Sequence, residues 1–262
     1  MKNLVDELLE LSDPEVDKKI IKSFELKDHL CPEIFEKDNT GQYVMKKEII
    51  DKLIEITDSF IDFTGVDFFV HDVILIGSLA NYNWSEYSDV DLHILIDFDE
   101  IGNEKNSNSI MMHNIFKEFF DAKKNVWNDT HDIKIKGYDV ELYVQDVNEE
   151  HVSSGVYSIL HNKWLVEPER NSPNIDDRKI LEKGEGYAKK IDKLVKLGQK
   201  QDVTSEIDAL RKKIKEFRQC GLESGGEYSY ENLTFKLLRR NGYIEKLMNL
   251  RNDVVDKKLS VS

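Results

Sequence analysis

Two acids one residue apart, Asp89 and Asp91, open an apolar run that continues through Leu92, Ile94 and Ile96. If the run is a strand, alternation puts Asp89, Asp91 and His93 on one face and Val90, Leu92, Ile94 and Ile96 on the other. Residues i and i+2 lie roughly 6.6 Å apart along a strand, so two carboxylate heads can converge on one ion. Without an ion, like charges repel by on the order of 1 to 4 kcal/mol at about 4 Å. A divalent cation removes that cost. Mg²⁺, with Mn²⁺ as the alternative, suits carboxylate oxygens and shares its remaining positions with water and phosphate. Upstream, the apolar residues 73–76 stop at Gly77-Ser78. Glycine lets the backbone approach a phosphate closely, and the serine hydroxyl with neighbouring N–H groups can bond its oxygens. The expected site holds a nucleoside triphosphate such as ATP on Gly77, Ser78, Asp89 and Asp91, with the two acids as metal ligands.

Gly-Ser, ten intervening residues, then Asp-x-Asp opening an apolar strand is a far more specific pattern than either piece alone. Gly77-Ser78 with Asp89-Val90-Asp91 resembles the signature of the DNA polymerase beta-like nucleotidyltransferase superfamily. The stretches GSLANYNWSEYSDVDLH and GLESGGEYSYENLTFKLLRRNGYIEKL also look like nucleotidyltransferases often found in bacteriophage genomes. The resemblance implies an α+β fold, a mixed sheet flanked by helices with a C-terminal helical part. It also implies a third metal carboxylate on a later strand. Tyr138 to Val144 offers Glu141 for that role, with Asp139 on the same face as the alternative; Glu stands here where Asp is commoner in the family.

The implied chemistry is two-metal transfer of an NMP from an NTP to an acceptor hydroxyl, with Asp89, Asp91 and Glu141 as catalytic and metal-binding residues and pyrophosphate leaving. The resemblance carries no acceptor: a small molecule, a protein or a short nucleic-acid end all remain open. A reading from a different class is a non-catalytic nucleotide-binding module with a regulatory or interaction role. The presence of all three acids favours the enzyme.

Several elements must position these residues. Residues 45–63 carry Ile49, Leu53, Ile56 and Phe60 at helical period, with Gly65 as a stop. Strands are expected near 68–76 and 89–97, with a short helix between them at 79–84. A helix is expected over 110–127 after a polar stretch that contains residues 102–108, and a hairpin over 133–144. Residues 25–43 read as loop. Leu4, Leu8 and Leu11 suggest an N-terminal helix, and Pro14 starts a second. Tyr157 and Trp164 read as core, as does Met111-Met112. Three helices follow near 177–198, 203–220 and 230–250, with Gly198 and Gly221 as C-caps.

Composition bounds the rest. With 40% hydrophobic residues, 34% charged and only 4 prolines in 262 residues, the chain has the makings of an ordinary folded core. No apolar run approaches 18 residues, which excludes a spanning helix, and the acidic N-terminus does not read as a signal peptide. A cytoplasmic location without membrane contact is expected. The two cysteines, Cys31 and Cys220, make no disulfide framework. The net charge of −14 argues against a general nucleic-acid coat, but it is unevenly spread. Residues 1–177 carry 17 Lys+Arg against 38 Asp+Glu, net −21; residues 178–262 carry 20 against 13, net +7. With the Pro- and Asn-rich stretch at 168–177, this suggests a catalytic domain over residues 1–170 and a basic helical domain over 171–262, the latter facing triphosphate or a polyanion.

Overall fold

Alternating buried and half-buried residues along Val90–Ile96 (β4) set the architecture: Val90, Leu92, Ile94 and Ile96 face the core, while Asp91 and His93 face away from it. A computed structural model of the chain describes residues 14–101, 109–149, 153–170 and 175–261. It divides into two compact units, Leu26–Asn171 and Met1–Glu25 with Ser172–Ser262. The fold is mixed α+β, with a mixed sheet flanked by helices. The helical spacing at Leu4, Leu8 and Leu11 and the polar residues 102–108 lie outside the described residues.

In the first unit β4 lies at the centre of a six-stranded sheet. It pairs antiparallel with Asp72–Ile76 (β3) and parallel with Tyr138–Asp146 (β6). Beyond β6 lies the two-residue Lys134–Ile135 (β5); beyond β3 lie Val156–Ser158 (β7) and Lys163–Val166 (β8). The parallel β4–β6 pair needs a crossover, which the helix Ser109–Thr130 (α3) provides. A second helix, Lys47–Thr64 (α2), presents Ile49, Leu53, Ile56 and Phe60 to the core that contains Leu75, Leu92 and Ile94. Each such side chain removed from water contributes about 1.5–3 kcal/mol. Gly65 ends α2 in the left-handed conformation, φ 71°, its N–H bonding the Asp62 carbonyl.

The expected loop at 25–43 contains a small hairpin, Phe35–Lys37 (β1) with Tyr43–Met45 (β2). Asp38 ties its turn by accepting from the Thr40 and Gln42 N–H groups. Three-residue arms are too short to register as alternation. Tyr157 is fully buried against Phe35 and Trp164, so these rings are core. Met111 and Met112, by contrast, are exposed at 61% and 45%.

The second unit is helical: Asp177–Gly198 (α4), Thr204–Gly225 (α5), Tyr230–Arg240 (α6) and Tyr243–Leu259 (α7). Its core includes Tyr187, Ile191, Ile207, Ile214, Leu238 and Leu247. The single helix expected over 230–250 is two helices. Asn241 caps the first, and Gly242 at φ 73° takes a conformation that suits glycine. Gly221 is no C-cap: it lies inside α5, where a Cβ would stand 2.4 Å from Glu231 Cβ. The helix Pro14–Lys22 (α1) belongs to this unit and not to the sheet unit with which the sequence grouped it. Asn241 Nδ2 bonds Asp17 at 2.5 Å, and Arg240 bonds Ser23 at 2.6 Å while lying over the Phe24 ring.

Candidate active site

β3 and β4 run antiparallel with Ile76 opposite Asp91, so the residue that follows β3 emerges beside the Asp91 side chain. That residue is Gly77. Its φ is 74°, and a Cβ there would stand 1.8 Å from Asp91 Oδ2. Only glycine satisfies both the backbone and the carboxylate. On the other side of β4, the parallel register sets Asp91 opposite Glu141. Neighbouring strands lie about 4.8 Å apart, so the two side chains project from one face as neighbours. Asp89 stands just ahead of β4 on the same alternation. Carboxylate oxygens from Asp89, Asp91 and Glu141 all lie within 4.8 Å of one another, and all three residues are half-buried.

Asp139 is not brought into this group. It faces Lys134 across the β5–β6 ladder and forms an ion pair with it at the exposed edge. Glu141 is instead held by Tyr143, two residues along the same face, whose hydroxyl donates to Glu141 Oε2 at 2.5 Å. Burial first, then this bond, then the charges of Glu141, Asp91 and Asp89 push the Tyr143 phenol far up, so it stays protonated and remains a donor. The Tyr143 ring stacks on His93 at 4.7 Å, and Lys124 Nζ lies 4.6 Å from its centroid. His93 Nδ1 is 2.9 Å from Gln145 Oε1, so this histidine forms a wall beside the acids.

The turn is fastened from below. Asn81, almost fully buried, donates from Nδ2 to the Gly77 carbonyl at 2.7 Å and accepts from Ser154 on Oδ1 at 2.9 Å. Ser78 Oγ donates to Ser88 Oγ at 2.7 Å, and Ser88 Oγ also accepts the Ser85 N–H. Ser78 thereby ties the glycine turn to the residue that precedes Asp89. The segment between is one 3-10 turn, Ser78–Ala80, and not the helix expected over 79–84, so it adds no helix-terminus field for phosphate. Sequence reasoning missed Tyr143, Asn81 and Ser88. The tyrosine shares the period-2 face of Glu141 and could have been read from it; the two loop residues had no periodic signal.

The donor set fits a divalent cation. Three carboxylates, two on strands and one just ahead of β4, present the hard oxygen ligands that Mg²⁺ or Mn²⁺ prefers, with Gly77 letting the Asp91 carboxylate stand against the turn. A second grouping, His71, Asp97 and Glu100, also brings ligand atoms within 4.8 Å, near the opposite ends of β3 and β4.

No protein-family model matches the chain, and no curated protein matches it. Among solved structures it is similar to a STING-associated CdnE c-di-GMP synthase from Capnocytophaga granulosa, at 13% identity over 96% of this chain and 91% of that one. The TM-score is 0.20, and likeness at that level supports no inference about activity.

Proposed function

We propose that the chain is a divalent-metal-dependent nucleotidyltransferase that moves an NMP from an NTP to an acceptor hydroxyl with release of pyrophosphate. The observation that carries the reading is the convergence of Asp89, Asp91 and Glu141 beside the Gly77 turn. Like charges gathered on one strand face are costly, and sites of chemistry are where such cost is retained.

Asp89, Asp91 and Glu141 would hold the cation. Bound there, it would neutralise the triphosphate and lower the pKa of the acceptor hydroxyl. The remaining work belongs to the chain. Gly77 lets the Asp91 carboxylate stand against the turn backbone, and the Ser78–Ser88 and Asn81 bonds keep that turn rigid. Tyr143 orients Glu141 by donating to one of its oxygens. The acceptor oxygen bonds the α-phosphorus as the bond to the bridging oxygen breaks, and positioning with charge stabilisation supplies most of the rate.

The deciding assay is pyrophosphate release from each NTP with cell extract, with and without Mg²⁺. Metal-dependent release lost in Asp91→Asn supports the enzyme. Tight Mg²⁺–NTP binding with no release under any condition would make the chain the non-catalytic nucleotide-binding module instead.

A further inference from the structure

A cavity of about 480 Å³ opens between α5, α6 and α7, wholly within the helical unit. The pairs Asp208–Arg251 and Asp202–Lys258 set α5 and α7 antiparallel, so Ile244 at the start of α7 comes beside the later turns of α5. Along α5 the wall runs from Asp208 to Arg218, about 15 Å at 1.5 Å per residue. Spread over that length, the volume makes a channel about 6 Å wide, against about 10–12 Å for a helix with its side chains. An extended chain of methylenes fits such a channel, and a docked helix does not.

The floor suits that occupant. Ile214 and Leu247 are buried, Phe235 and Ile244 are half-buried, and Met248 is exposed at 39% on the lip. The rim is basic, with Arg211, Lys212, Lys215 and Arg218 against Asp208. Most of these charges are engaged. Arg211 and Arg251 share Asp208 at 3.5 and 2.8 Å, Lys212 stands 3.8 Å from Glu216, and Arg218 bonds Asn232 at 3.2 Å. Lys215 is exposed and has no carboxylate partner among the described residues. With Arg251 and Glu216 counted, five cations face two carboxylates, so the rim keeps a positive excess. One open cation in a positive surround calls for one anionic head and not for a chain of phosphates. Arg218 already covers one face of Phe235, the aromatic ring of the lining, at 4.4 Å, which leaves little for a base to stack on.

We propose that this channel binds a single-chain amphiphilic anion, a fatty-acid carboxylate with its head at Lys215 and its chain over Ile214, Leu247 and Met248. The site lies within the helical unit, so its test is independent of nucleotidyl transfer.

The test titrates the full chain, by calorimetry, with sodium octanoate, decanoate, dodecanoate and hexadecanoate below their micellar concentrations. Each buried methylene should tighten binding about fourfold while the chain still fits, so dodecanoate should bind on the order of a hundredfold more tightly than octanoate. Hexadecanoate, longer than the channel, should gain little more. Decanol, with the chain and no charge, should bind about tenfold more weakly than decanoate, and Lys215→Gln should bring decanoate to the level of decanol. Met248→Glu should weaken both by roughly tenfold or more, because it sets a carboxylate on the apolar lip. Leu165→Glu, at an exposed position of β8, should change neither. Affinity that keeps rising through hexadecanoate, or that survives Met248→Glu, is adsorption to apolar surface at large and overturns the site. Equal binding of decanoate and decanol overturns the head at Lys215, and no binding at any chain length overturns the whole proposal. So does binding to phosphatidylcholine–phosphatidylglycerol vesicles without binding of free dodecanoate, which would assign the face to a membrane. Displacement of dodecanoate by a synthetic peptide of residues 1–13 would assign it to an acidic peptide instead.

Discussion

In the sheet unit, three carboxylates gather where apolar packing ends; in the helical unit, several carboxylates meet a cation singly. Asp89, Asp91 and Glu141 stand within 4.8 Å of one another, whereas Asp192 bonds Lys246 at 2.6 Å and Asp208 bonds Arg251 at 2.8 Å. The same side-chain type therefore serves two ends. Paired with a cation inside its own unit, a carboxylate holds helices together. Gathered with others on a strand face, it adds like-charge repulsion that the proposed cation would relieve.

Single substitutions can break that contrast. Asp91→Asn or Asp89→Asn should reduce transfer on the order of a thousandfold, with an unchanged far-UV spectrum, because the lost charge faces the site and not the core. Asp192→Asn should do the reverse. It removes the carboxylate charge that the largely buried Lys246 bonds, costs about 1–3 kcal/mol by denaturant unfolding, and leaves turnover intact wherever the unit is folded. His71→Ala, in the other candidate ligand group, should leave transfer unchanged. Turnover lost in folded Asp192→Asn, or kept in Asp91→Asn, would dissolve the distinction.

Two glycines sharpen it. Gly77→Ala puts a methyl into the Asp91 carboxylate at a positive φ, so we expect transfer to fall about a hundredfold and stability to drop by about 1–3 kcal/mol. In Gly221→Ala the methyl meets Glu231 Cβ at 2.4 Å within the helical core, a comparable overpacking cost of about 1–3 kcal/mol. Here transfer at low temperature should be unchanged. Thermal midpoints with pyrophosphate release, measured on both variants, separate the two effects.

What was legible in advance follows the same division. The pair Asp89 and Asp91 and the turn glycine could be read because a strand repeats every two residues and a lone Gly-Ser after an apolar run stands out. Alternation puts Glu141 and Asp139 on one face, so it gave no signal for which of them stands beside Asp91; that depends on the β5 ladder, which pairs Asp139 with Lys134. Ser88 and Asn81 act through loop contacts that have no period. Among the helices, period gave their existence but misassigned their punctuation. Gly221 is small because Glu231 packs against it, and the expected helix over 230–250 breaks at Asn241-Gly242 although its apolar spacing continues.

Smaller effects come from alkaline pH, where the units should respond in opposite directions. Burial, reinforced by Arg240, Arg239 and Arg218 against the attraction of Glu227, holds the Lys236 ammonium below its ordinary pKa. A lysine whose folded pKa lies below its unfolded value destabilises the fold while protonated. The cost is present at neutral pH and is relieved as pH rises toward the unfolded value of 10.5. Lys236→Met should therefore raise the midpoint of the helical unit by about 2–4 °C near pH 7 and flatten its rise with pH. Trp84, Trp127 and Trp164 all lie in the sheet unit, so tryptophan emission follows that unit alone while the far-UV signal follows both. A Lys236→Met variant that loses helical stability would show that the ammonium makes a favourable contact.

The two cysteines give the mildest test. Cys220 is exposed on α5, whereas Cys31 is fully buried in the sheet unit, with Sγ 3.3 Å from Glu33 Oε2 and 3.6 Å from the Tyr138 hydroxyl. Burial, only partly offset by the Tyr138 hydrogen bond, pushes the Cys31 thiol up to about 11. The thiolate is the reactive form, so Cys31 is protected twice, by access and by protonation. At pH 8 a thiol reagent should titrate one cysteine quickly and the second only after the sheet unit unfolds. Because the folded pKa lies above the ordinary 9.0, the contribution of Cys31 to stability is complete below about pH 9 and is lost as pH rises toward 11. Tryptophan emission should therefore report a sheet unit that weakens over that interval, and Cys31→Ala should remove this sensitivity while leaving a small cavity cost at neutral pH. Two thiols reacting at equal rates at pH 8 would show that the segment holding Cys31 opens readily. The sheet unit would then be less tightly closed around its hairpin than around its acids.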